Sequence, residues 1–80
     1  MKRVVSEISA VWTADGRISP IRFTWEGQVI QVVDRGRDWR DEEGYHVLCR
    51  GASSGVFELV LGPHGEWTGS TAGAMGGVAL

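Results

Sequence analysis

The chain has 80 residues, 42% of them hydrophobic, and a formal net charge of −2. That length makes one small domain, which buries only about 60% of its unfolded surface, and the near-neutral, interspersed charge excludes a dedicated duplex-binding protein with its strong basic excess. Cys49 is the only cysteine, so no internal disulfide can form, and a lone thiol fits a reducing compartment.

The opening Met1–Glu7 lacks a long apolar run and no segment is long enough to span a bilayer, which points to a cytoplasmic protein without a signal peptide. Val4 to Thr13 reads as a first strand, with Val4, Ile8, Ala10 and Trp12 in one apolar row broken by Ser6. Asp15-Gly16 signals a two-residue turn, which sets Ile8 opposite Phe23 and Ala10 opposite Ile21. Pro20 has no N–H, so it marks a bulge or the start of the second strand. The strongest local pattern follows. Two apolar runs flank Glu26-Gly27, so Phe23 faces Ile30, Ile21 faces Val32, and Arg22 faces Gln31 on the polar side.

Gln28 to Val33 is the third strand, running on toward Trp39 with a bulge expected at Gly36. A polar turn, Asp41 to Gly44, leads into Tyr45–Arg50, where Tyr45, Val47 and Cys49 share a face. After Gly51–Gly55 comes Val56–Leu61, with Phe57, Leu59 and Leu61 together, and Gly62–Gly65 turns into a short closing strand, Glu66–Thr68. No helical period survives. The expected fold is all-β, a five- or six-stranded antiparallel meander or small open barrel over residues 1–68. Residues 69–80 read as a flexible Gly/Ala-rich tail whose apolar end, Val78 to Leu80, can dock on a groove or a second subunit.

Candidate chemistry is sparse. His46 and Cys49 are spaced for a helix, but on a strand they lie on opposite faces, so no metal site is expected; the reading is a core thiol and surface histidines. The acidic run from Asp34 to Glu43 lacks a calcium-loop pattern and is interleaved with arginines. Ser53-Ser54 has no nucleophile context. The expectation is therefore no catalytic residue, no cofactor and no enzyme.

Four tryptophans in 80 residues are the best functional hint. Trp12 and Trp25 fall on the inner parity and cap the core. Trp39 sits among Arg35, Arg37 and Arg40, a group that can follow a phosphate backbone while the indole stacks on a base, or anchor a protein interface. These four are the candidate binding residues. Trp39 is either a packed hairpin end or a contact residue.

Pro20-Ile21-Arg22-Phe23-Thr24-Trp25-Glu26-Gly27, Val32, Trp39, Val47, Phe57-Glu58-Leu59 and Trp67 form a spaced pattern. It resembles a family of small bacterial β domains of unknown function, with a Phe-x-Trp-x-Gly hairpin, whose genes often neighbour those of Y-family-like translesion DNA polymerases. This chain departs from it at Ile30, where an aromatic is expected, and after Thr68. The resemblance implies a DNA-repair neighbourhood and supplies no catalytic residue. The functional expectation is a non-catalytic interaction module, binding a protein or itself as a homodimer, with weak single-stranded nucleic-acid binding as the alternative.

Overall fold

The computed structural model describes residues 3–52 and 55–71. The expected hairpin at Glu26-Gly27 is there: φ is +48° and +82° at the two turn residues, the conformation a type I′ turn demands and glycine accepts without cost. Its ladder pairs Phe23 with Ile30 and Arg22 with Gln31. Around it, seven strands form one antiparallel sheet with no helix among the described residues: β1 Arg3–Val4, β2 Ser6–Trp12, β3 Ile18–Trp25, β4 Gln28–Asp41, β5 Gly44–Gly51, β6 Gly55–Leu61 and β7 Trp67–Thr71. The sheet order is β1-β7-β6-β5-β4-β3-β2. Its two edges, β1 and β2, are consecutive pieces of chain on either side of Val5, so the sheet curls into a half-barrel. Val5 is buried and donates its N–H to the Trp67 carbonyl at 3.0 Å. This break in the N-terminal strand accounts for the seventh strand.

The first hairpin differs from its expected register. Trp12 pairs with Ile18, so Asp15-Gly16 lies inside a longer loop, closed by Thr13 N–H to Arg17 O at 2.9 Å. Ala10 then meets Pro20 rather than Ile21, and a shift between Ser9 and Ala10 restores the pairing at Arg22. Pro20 cannot donate to the ladder, and the strand rotates there. Ile21 is turned outward to 46% exposure instead of facing Val32, while Pro20 is buried. Trp12 does not cap the core; it stands 61% exposed at the barrel mouth. Trp25 does pack on the core, meeting Phe57 edge-on at 5.4 Å.

Val32 pairs with Gly51, because β4 leaves β3 here and crosses to β5. Two register shifts, between Val32 and Asp34 and between Arg35 and Asp38, bend this long strand, and the second contains Gly36 as expected. The core gathers Val5, Ile18, Phe23, Ile30, Tyr45, Val47, Cys49, Phe57 and Leu59. Gly69 is a packing requirement: a Cβ there would lie 2.9 Å from Leu59 and 3.0 Å from Val5. The closing strand β7 runs through Gly69 to Thr71, past the expected boundary at residue 68; residues 72–80 lie outside the described residues.

Candidate functional site

The bulge in β4 decides what its arginines do. Across the β4–β5 ladder Arg35 pairs with Cys49 and Asp38 with Val47, both core residues, so Arg35 and Asp38 share the inner side despite an odd spacing. Arg35 is held there completely. Its Nε donates to Ile18 O at 3.1 Å, its Nη1 to Gly36 O at 2.9 Å, and its Nη2 to both Asp38 and the Tyr45 hydroxyl at 2.8 Å. The Tyr45 hydroxyl accepts the Ile18 N–H at 3.0 Å and donates to Asp38, which Arg17 also reaches at 3.3 Å. These hydrogen bonds, from Tyr45 first and then Arg35, hold the Asp38 carboxyl well below its ordinary pKa. Burial, with Asp38 alongside, pushes the Tyr45 phenol up. Arg35 is thus a structural tie between β3, β4 and β5, not a free contact residue.

Arg40 lies at the barrel mouth, its guanidinium 4.9 Å from the centre of the Tyr45 ring and donating to Gly16 O at 2.9 Å. It borders a cleft of about 220 Å³ whose other walls include Trp12, Ile18, Tyr45, Leu61 and Pro63. The cleft is aromatic and aliphatic on its walls, with charge at its rim.

Arg37 and Trp39 project from the opposite, outer face. Arg37 is exposed and makes no hydrogen bond or ion pair among the described residues. Trp39, 37% exposed, pairs across the ladder with His46 and stacks on its ring, 4.9 Å between centroids and 10° between planes. His46 is not a surface histidine: it is 2% exposed, beneath the indole. Its Nε2 lies 2.7 Å from Asp41 and its Nδ1 2.9 Å from Glu58. Burial pulls the pKa of the ring down, but hydrogen bonds to Glu58 and Asp41 and their charges outweigh it, and the net shift is upward. A folded value above the unfolded ~6.5 means the stabilisation is complete below that pH and is lost as pH rises through the folded value. Trp39 reports this directly. Its fluorescence, quenched by the stacked imidazolium, should rise along a single titration with a midpoint above ~6.5, and the transition should vanish in Trp39→Phe. A midpoint below 6 in the wild type would contradict the geometry.

Asp41, Glu43 and His46 bring ligand atoms within 4.8 Å of one another, the one such group among the described residues. The ring bridges two carboxylates through both nitrogens, which suits an imidazolium, and an imidazolium has no lone pair to give a metal. Cys49 lies on the core side, away from His46, and burial pushes its thiol up to about 12, which makes it a poor nucleophile. Ser53 and Ser54 lie outside the described residues.

The four candidate residues therefore do not form one patch. Arg35 is inside, Arg40 is at the mouth, and Arg37 and Trp39 are outside. The mouth cleft with Trp12, and His46 under Trp39, escaped the sequence reading. The second was within reach, since a two-residue Glu42-Glu43 turn places residue 39 opposite residue 46. The first depended on the rotation at Pro20.

The fold and its clefts define a small all-β half-barrel, with no described helix long and apolar enough to cross a membrane. Comparison with protein families, with characterised proteins and with solved structures yields no match.

Proposed function

We propose that this protein is a non-catalytic interaction module that grips an extended segment of a protein partner in the cleft at the barrel mouth. One observation carries the reading: a large indole, Trp12, stands 61% exposed beside an apolar cleft that Arg40 and Asp41 rim with opposite charges. Exposed aromatics beside an arginine are the commonest anchors of protein contacts. The ionisable clusters support the non-catalytic part, since Arg35, Asp38, Tyr45 and His46 all use their polar atoms on one another or on neighbouring groups. The family resemblance implies a DNA-repair neighbourhood for such a module. A second copy of the chain is an eligible partner, because Val29 and Val33 on β4 are each more than 60% exposed.

The nucleic-acid alternative keeps one specific support, the exposed pair Arg37 and Trp39. Asp41, Glu43 and Glu58 gather negative charge around the His46 ring on which that indole stacks, so any such binding is weak and salt-sensitive. The test uses a displayed library of random twelve-residue peptides and a short single-stranded oligonucleotide at low salt. The module reading expects selected peptides with micromolar affinity that Trp12→Ala weakens at least tenfold and Trp39→Ala leaves alone. Failure to select any peptide, together with a monomer across a wide concentration range in sedimentation, overturns it. Oligonucleotide binding abolished by Trp39→Ala would install the alternative.

A further inference from the structure

The hydrogen-bonding character of the mouth cleft narrows what can enter it. Its apolar walls, Trp12, Ile18, Tyr45, Leu61 and Pro63, enclose about 220 Å³, less than the ~300 Å³ at which small-molecule pockets begin. That is room for one or two side chains of a peptide. Acceptors along these walls are largely spent. Ile18 O takes Arg35 Nε at 3.1 Å, and the Tyr45 hydroxyl takes both Arg35 Nη2 and the Ile18 N–H. Gly62 O takes the Gly65 N–H at 3.1 Å, and Gly16 O takes Arg40. Donors are what remain. The Trp12 indole, 61% exposed, has no hydrogen bond on its N–H among the described residues. Arg40 commits Nη2 to Gly16 O, which leaves the other N–H groups of its fork.

A site with donors to spare and few acceptors selects for backbone that carries carbonyls without N–H groups. A β-strand peptide brings an N–H with each carbonyl, and every N–H buried without an acceptor weakens binding. Proline has none. A proline-rich segment holds the polyproline II form before it binds, leaves its carbonyls free to accept, and sets its rings against an aromatic face.

Charge picks out the flank of that segment. The turn from Asp41 to Gly44 borders the cleft, and Glu42 on it is exposed with no ion pair among the described residues. Glu66 folds its carboxylate over Gly62, so close that any Cβ at Gly62 would collide with it. It too is exposed and without an ion pair among the described residues. Arg40, the cation among the lining residues, is turned onto the Tyr45 ring and Gly16 O. The uncommitted charge beside the cleft is therefore acidic, complementary to a basic residue.

We propose that the mouth cleft binds a proline-rich segment of a partner protein. Proline rings pack on Trp12, carbonyls accept from the Trp12 indole N–H and from Arg40, and a flanking arginine or lysine lies beside Glu66. This rests on the mouth cleft being the contact surface, and it specifies the segment that the surface accepts.

The test follows the Trp12 indole N–H resonance of the full-length chain, assigned as the signal missing from Trp12→Phe. The probe is a synthetic peptide of eight prolines followed by two arginines. Titration should move that resonance. Replacing alternate prolines with alanine should weaken binding at least tenfold, and replacing the arginines with glutamate at least threefold. Glu66→Gln should shrink the second difference. Equal binding of either altered peptide overturns the proposal. So does an indole unmoved by the proline peptide but moved by proline-free peptides selected from the random library, and in that case the module reading stands. An indole that no peptide moves removes both.

Discussion

Replacing Phe23 with alanine should cost about 3–5 kcal/mol of stability, enough to leave a domain of this size largely unfolded. Phe23 is wholly buried and meets Phe57 edge-to-face, 5.2 Å between centroids at 81°. Its ring sits where the β3–β4 hairpin closes over β6, so truncation removes apolar contact on both sides and opens a cavity that a sheet pinned by two ladders cannot collapse into. Denaturant melts decide the matter: a loss below about 1 kcal/mol would mean that the two phenyl rings do not share a core. Val29→Ala, on the exposed face of the same hairpin, should change stability by less than about 0.5 kcal/mol.

Arg35→Ala is the second large effect, expected at about 2–4 kcal/mol. The substitution leaves the Asp38 carboxylate without its main cation and removes the donor to Ile18 O in a part-buried setting. Arg35→Lys should recover little, because one ammonium cannot replace a fork that spans Ile18, Gly36, Asp38 and Tyr45. Arg37→Ala, two residues away on the outer face, should be nearly silent. Equal melting temperatures for Arg35→Ala and Arg37→Ala would show that both arginines are solvated. The same cluster sets an acid limit. Asp38 has a folded pKa depressed below its unfolded value of ~3.9, so its contribution is present above that pH and disappears as pH falls through and below it. Asp38→Asn should flatten this part of the acid-unfolding profile.

The contrast between these two arginines shows where sequence reasoning reached and where it stopped. Strand content, antiparallel pairing and the Glu26-Gly27 register were legible because a two-residue turn fixes parity and parity fixes which side chains are inside. The rows Tyr45-Val47-Cys49 and Phe57-Leu59 followed for the same reason. Bulges break that logic. One extra residue between Arg35 and Asp38 turns an apparent exposed Arg/Trp motif into one inward tie and one outward pair, and nothing in Arg35-Gly36-Arg37 says which residue will be looped out. Pro20 gave warning of an irregularity. The direction of the rotation, which freed Ile21 and moved Trp12 to the mouth, was set by the compensating shift at Ser9 on the partner strand. The turn placed His46 opposite Trp39, but its clamp between carboxylates was hidden, because a histidine in a strand carries no mark of its partners Asp41, at the end of β4, and Glu58, in the next strand.

The division of the N-terminal strand at Val5 bears on the order in which the molecule assembles. Six of the seven strands are joined to their neighbours by hairpins, so their ladders involve residues near in sequence and can zip with little loop entropy to overcome. The pairing of β1 with β7, Arg3 with Gly69 and Val4 with Thr68, is the exception: it ties the start of the chain to its far end. Such a clasp forms late and opens early, and with two residues in β1 it is the weakest seam of the barrel. Amide exchange should therefore be fastest along β1 and at Val5, slowest in β5 and β6, and a pulling force applied to the two ends would meet its first resistance at this seam.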